Sequence, residues 1–276
     1  MERLIHAGGT PADARRMCEI LEARVAESAS TLDSTPCYHG IGHGAVDGFT
    51  GGTKGDPEAL LRPGKDICRF VGEGDEERVT WCLTGAFHSL AHMYEYETFG
   101  LSAYGEGFDP YAICMQQERE SEKAACYQQM RSVAQVAGGH TLAGALRFAR
   151  AVPDLHYARI AVRGIAEHEA QLFRGATVAE YIPVYEACAA LEEELQEMCV
   201  QSFGAGLFIY SEPGDELGNA LSFCQSDRAS KPSQHLCIYN VLFHAREKLS
   251  KVEYERQCYA ALTDTNRAYC EEVYGL

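Results

Sequence analysis

Long apolar runs are missing from this sequence. No stretch approaches the eighteen or so uninterrupted apolar residues of a membrane helix, so nothing in it is expected to span a bilayer. Positive charge is scarce: 24 Lys and Arg stand against 40 Asp and Glu, a formal charge of -16. So acidic a chain repels phosphate backbones and anionic headgroups. That argues against nucleic acid and membrane surfaces as partners, and favours cations, small molecules and basic peptides or proteins. There is no Cys-x-x-Cys, which makes a zinc ribbon, an iron–sulfur site or a redox dithiol a poorer reading of the cysteines than disulfides. A Gly-x-Ser-x-Gly elbow, a P-loop and a dinucleotide fingerprint are absent too, so nucleophilic hydrolysis and nucleotide chemistry find no support.

What is present is a globular chain: 276 residues, 46% hydrophobic and 23% charged, enough for a large core. Its twelve cysteines fall in chain order into six couples: Cys18 and Cys37, Cys68 and Cys82, Cys114 and Cys126, Cys188 and Cys199, Cys224 and Cys237, Cys258 and Cys270. An even count on a regular beat reads as disulfides. A straight helix of twelve residues would hold its ends roughly 18 Å apart, whereas bridged Cα atoms lie within about 7 Å. If neighbours pair, the chain turns back between them, and each couple staples a helical hairpin. Sequence alone leaves roughly ten thousand connectivities open. Six disulfides would place the protein outside the reducing cytosol, secreted or periplasmic. The chain opens Met-Glu-Arg-Leu-Ile-His-Ala-Gly-Gly, without the apolar core of a signal peptide, and the expectation is a leader that this sequence does not carry.

Residues 11–27 have helical periodicity and few β-branched residues, residues 28–36 read as a turn, and Cys37 opens a second helix. Residues 49–64, rich in Gly and Pro, read as a surface loop, and a further helix is expected from Cys82 to about Glu97. The second cysteine of each couple recurs every 33 to 45 residues if Ala161 is counted as a lost cysteine, because Arg163-Gly164-Ile165-Ala166-Glu167-His168 lines up with His39-Gly40-Ile41-Gly42-His43-Gly44. Such periods mark helical repeats, in which stacking supplies the core. The expected fold class is all-α: disulfide-stapled helical hairpins stacked as an α-solenoid or partly closed ring. They form one domain, 1–276, of about seven units, the fourth without its disulfide. The beat of the cysteines resembles that of the cysteine-rich members of the Sel1-like repeat family, which implies disulfide-linked helix pairs. The Gly-rich turns and shorter cysteine spacing of that family are absent, and the resemblance assigns no residue a role.

The chemistry concentrates in two in-phase segments, Cys37-Tyr38-His39-Gly40-Ile41-Gly42-His43 and Cys82-Leu83-Thr84-Gly85-Ala86-Phe87-His88-Ser89-Leu90-Ala91-His92. Each His-x-x-x-His puts two imidazoles one turn apart on one helix face. Stacked at 8–10 Å, such helices set His43 beside His88 and Asp47 beside His92, with Thr84 facing His39. His39, His43, His88 and His92 are therefore the candidate metal ligands, with Asp47 and Glu95 as neighbouring carboxylates able to accept a proton. With the thiols consumed, imidazole nitrogen suits a copper or zinc ion. The bland reading is a histidine-lined groove of hydrogen bonds, and haem or another cofactor is a third. Tyr38, Tyr94 and Tyr96 lie near the histidines, as redox partners or as core. His140, His168 and His244 read as helix-end, surface or core histidines, and His6, His156 and His235 carry no pattern. Two functions from different classes follow: an extracytoplasmic metal-binding protein, as an enzyme or not, or a non-catalytic helical-repeat scaffold that binds a basic peptide on an acidic face.

Overall fold

Six disulfides join the cysteines in the order of the chain, Cys18–Cys37, Cys68–Cys82, Cys114–Cys126, Cys188–Cys199, Cys224–Cys237 and Cys258–Cys270, with Cα separations between 5.2 and 6.1 Å. No described cysteine is free. The computed structural model describes residues 9–27, 35–49, 54–105, 107–173, 175–177, 179–263 and 266–275. Among them are fifteen α-helices, one 3-10 turn and no strand, so the all-α expectation holds. No helix among them is long and apolar enough to cross a membrane. Each bridge closes a short loop, a constraint on the unfolded chain of ~3 kcal/mol for about fifteen residues. The chain divides into two compact units, Met1–His140 and Thr141–Leu276.

In the first unit, α1 (Pro11–Glu27) and α2 (Thr35–Phe49) form the first stapled pair. Of the turn expected over residues 28–36, residues 28–34 lie outside the described residues, and Thr35 and Pro36 already belong to the helix, which begins two residues ahead of Cys37. The second pair is α3 (Pro57–Val71) and α4 (Glu76–Glu95). Here the loop expected over residues 49–64 is corrected. Asp56 caps α3 by accepting from the Ala59 backbone N–H at 3.1 Å, Pro57 occupies the first turn, and Pro63 and Gly64 lie inside the helix. Proline is suited to a first turn because its missing N–H is not needed there, and Pro63 costs the helix one backbone bond. Helix α4 also starts earlier than Cys82: the Asp75 carboxylate accepts from the Glu77 and Arg78 N–H groups at 3.1 and 3.2 Å and fixes its first turn. Between the two helices Gly74, at φ 84, turns the chain in a left-handed conformation that a side chain would resist. The third staple joins a single turn, α5 (Ala112–Met115), to α6 (Glu120–Gln129), followed by α7 (Arg131–Ala137).

Apolar burial is not all that holds the unit together. Glu122 of α6, its side chain 2% exposed, reaches α3 and pairs with Lys65 at 3.4 Å and Arg69 at 2.5 Å. Lys65, also nearly buried, bonds Glu58 and the Gln117 side-chain oxygen, both at 2.8 Å. Charges so removed from water are tolerated only because each is met by another. On the far side of α3 and α4, Arg78 pairs with Glu22 of α1 at 2.8 Å and sits 5.6 Å over the Tyr38 ring.

The second unit opens with the pair that has no staple, α8 (Leu142–Arg150) and α9 (Leu155–Glu169). Thr141 and Asp154 cap the two helices through the Gly144 and His156 N–H groups. Arg163 to His168 lie in α9, which packs on α8 without a disulfide between them. Three stapled pairs follow: α10 (Ile182–Ala189) with α11 (Glu193–Tyr210), α12 (Glu216–Cys224) with α13 (Lys231–Lys248), and α14 (Lys251–Ala261) with α15 (Ala268–Tyr274). Aromatic rings fill the core between the first two, Tyr185 stacking on Phe223 at 4.6 Å while its hydroxyl donates to the Phe223 carbonyl at 2.6 Å. Gly204 of α11 lies against the next staple, where an added Cβ would come within 2.6 Å of Cys237 Sγ.

Glu122→Gln removes the charge that both Lys65 and Arg69 need. We expect a loss on the order of 3 kcal/mol, read as a lower urea midpoint at unchanged m-value; an unchanged midpoint would show the network to be energetically idle.

Candidate metal centre

Helices α2 and α4 cross with their backbones in contact. A Cβ placed on Gly42 would fall 1.8 Å from the Cys82 carbonyl oxygen, and one on Gly85 would fall 1.9 Å from the His39 carbonyl oxygen. Only hydrogen side chains let the two helices come so near. The staples act in the same place, since Cys37 lies two residues before His39 and Cys82 two before Thr84.

At this crossing three imidazoles meet. His88 Nδ1 lies 3.3 Å from His39 Nε2 and 3.0 Å from His43 Nε2. The ring centroids of His39, His43 and His88 are 4.6 to 5.5 Å apart. One nitrogen from each ring lies within 4.8 Å of the other two, so the trio could hold a metal ion. Among the described residues it is the one such group of His, Cys, Asp and Glu.

Two hydroxyls set the tautomers. Thr84 donates to the Trp81 carbonyl at 2.7 Å, which leaves its oxygen to accept from His39 Nδ1–H at 2.9 Å. Ser89 Oγ lies 2.7 Å from His43 Nδ1 and 3.4 Å from the His43 carbonyl oxygen, placed to accept from the ring in the same way. With Nδ1 protonated, His39 and His43 both turn Nε2 lone pairs toward His88. Outer partners orient metal-ligating histidines in the same way. Burial then keeps the rings neutral: it pushes His39 down to about 4, helped by His43 and Arg131, and His88 down to about 3, helped by His43, His92, Arg131 and His39. His43 is also lowered, by burial first, against the pull of the Asp47 carboxylate. At neutral pH all three rings have the uncharged form that a metal requires.

No family model, curated protein or solved structure matches the chain. The site is therefore interpreted from its own geometry. Bonds of 2.0–2.1 Å at a tetrahedral ion separate neighbouring nitrogens by about 3.3 Å, and square coordination by about 2.8 Å. The two distances to His88 Nδ1, 3.3 and 3.0 Å, lie in that interval.

The remaining candidates ring the trio. The His92 ring lies tilted 4.4 Å from His88 and 5.9 Å from His43, with its side chain 44% exposed. Its Nε2 lies 4.0 Å from Glu95. Asp47 is exposed and acts on His43 through its charge. Tyr38 and Tyr94 are core residues, while Tyr96 is exposed, 5.8 Å from the His92 ring. His140 follows α7 in a left-handed turn, φ 58, and His168 is bonded to Gln171 at 3.0 Å. The sequence pattern did not single out Ser89 or Arg131. Ser89 could have been found as the residue beside His88 on the same helix. Arg131 carries no motif.

Two outcomes follow. In the metal-free protein His39 and His88 refuse a proton until pH falls to about 4 and about 3, whereas in the unfolded chain they take up protons near 6.5. Stability therefore erodes as pH drops from about 6.5 toward 4, and thermal melts should show this loss reduced in a His39→Asn/His88→Asn variant. Gly40, on the same helix, has nothing within 4 Å of an added Cβ. Gly40→Ala should stabilise by up to ~1 kcal/mol through helix propensity, and Gly42→Ala should destabilise by ~1–3 kcal/mol or more. Equal effects of the two in chemical denaturation would contradict the close crossing.

Proposed function

We propose that this is a metal-binding protein of an oxidising, extracytoplasmic compartment, whose first two hairpins hold one zinc or copper ion on His39, His43 and His88. The observation that carries the reading is the convergence of two hydroxyl-oriented Nε2 lone pairs on His88 Nδ1. Six disulfides point to an oxidising compartment, consistent with hard and borderline ligands in place of thiolates.

Three protein nitrogens leave a position open at a four-coordinate ion, the pattern of catalytic sites and not of closed structural ones. His92, standing one ring away, would lie beside that position, with Glu95 behind it and Asp47 near His43. In an enzyme these carboxylates would accept the proton of a metal-bound water, the ion lowering the pKa of that water. The Thr84 and Ser89 hydroxyls would hold the ligand rings in register while the ion is exchanged.

The test is elemental analysis by plasma mass spectrometry on protein purified without a metal-affinity tag. About one zinc or copper per chain is expected, lost in His39→Ala/His43→Ala and in His88→Ala, and kept in His156→Ala. Metal-free protein, even after incubation with both ions, would overturn the assignment and leave a stapled binding scaffold for a basic peptide or protein as the better account.

A further inference from the structure

The second unit has a close helix seam of its own. Gly206 brings α11 against α9, where an added Cβ would fall 2.7 Å from the Glu167 carbonyl oxygen. Nearer the start of α9 the same two helices border a cleft of about 410 Å³, lined by Leu155, His156, Arg159, Ile160 and Arg163 of α9 and by Met198 of α11. The fold leaves its apolar side uncovered: Leu155 is 47% exposed, and Ile160 and Met198 are half-buried. Arg159 and Arg163 are exposed and stand one turn apart on one helix face. No carboxylate lines the cleft. Among the described residues neither arginine has an ion pair, although the chain has 40 Asp and Glu against 24 Lys and Arg. Asp154, just ahead of the cleft, turns its carboxylate to the His156 backbone N–H at 2.8 Å and caps the helix.

Two guanidiniums without acid partners, beside apolar side chains left open to water, match a ligand that has both characters. We infer that this cleft binds a small amphiphilic carboxylate, its head bonded by Arg159 and Arg163 and its apolar body covering Leu155, Ile160 and Met198. The planar fork of each arginine matches the two oxygens of a carboxylate, and two forks one turn apart can share one head group. Hydrocarbon laid against the cleft removes apolar area of both partners from water. The charge of the chain narrows the class further. A formal charge of -16 opposes every anion at long range, and opposes a doubly charged phosphate ester or an acidic protein segment more strongly than a single carboxylate. The volume agrees as well, since pockets for small ligands run from about 300 to 1,000 Å³. None of the histidines of the first unit takes part, so this site is independent of the ion proposed there.

The experiment is isothermal titration calorimetry of the full chain with octanoate, and with acetate and octanol as the head and the tail alone. Octanoate should bind at about one per chain with a Kd on the order of 0.1–1 mM, and acetate and octanol should each bind at least about tenfold more weakly. Octanoate affinity should also fall as salt is raised, because both arginines are exposed. Arg159→Gln and Arg163→Gln should each weaken octanoate about tenfold, the loss of one charge-assisted contact, while leaving octanol unchanged. Leu155→Asp should weaken octanoate by a similar factor. All three side chains are exposed, so unchanged thermal melts are expected and show that each variant folds. Octanoate binding no tighter than that of acetate, or equal in wild type and both arginine variants, overturns the proposal. So does tighter binding of a pentaglutamate peptide than of octanoate, which would assign the cleft to an acidic protein segment. A dimer in sedimentation that Leu155→Asp dissociates would overturn it too, since a second copy would then cover this face.

Discussion

The first unit depends on one close approach. Gly42 against the Cys82 carbonyl and Gly85 against the His39 carbonyl put the α2 and α4 backbones in contact, and every feature of the histidine cluster follows from that contact. A side chain one residue away on either helix can then reach across to its counterpart. Imidazole nitrogens from two hairpins come within 3.0 to 3.3 Å, and the Thr84 and Ser89 hydroxyls come within hydrogen-bond reach of His39 and His43. Any larger residue at those two glycines would separate the helices by more than the tolerance of the site.

The disulfides and the glycines divide the work. A staple fixes how the two helices of one hairpin lie, but it says nothing about the next hairpin. The second unit uses the same division, with Gly204 of α11 lying against the Cys224–Cys237 bridge where Gly42 lies against Cys82. At the positions corresponding to the histidines the second unit has Arg163, Glu167 and Ala205, and no metal-ligand cluster forms there among the described residues. Among the described residues the three-histidine cluster lies in the first two hairpins.

The staples were legible in the sequence because physical limits constrain them. A helix cannot bring residues a dozen apart within bridging distance, so regularly coupled cysteines imply a turn between them. The histidines were legible for a similar reason, since spacing of four on helices of equal phase leaves few places for the rings to point. The start of α3 was not legible. Pro57, Pro63 and Gly64 carry the local signal of a loop, and only the Asp56 cap and the burial of Leu60 and Leu61 override it. His92 shares the phase of its neighbours, but one turn beyond His88 its side chain is 44% exposed and its ring lies 5.9 Å from that of His43. Glu122 could not be read at all, because its role depends on which helix a distant residue meets.

Every staple lies within a hairpin and none joins one hairpin to the next. Covalent bonds therefore leave the first hairpin free to hinge from the second, resisted by packing, by the ion pairs of Arg78 with Glu22 and Arg15 with Glu73, and by the hydrogen bonds of His39 and His43 to Thr84 and Ser89. An ion shared by His39 and His43 on one side and His88 on the other would be the single strong tie across that seam, and a reversible one. Its arrival or departure would be felt as stiffness between hairpins, so protease cutting or hydrogen exchange along α2 would report the ion without any chemistry being observed.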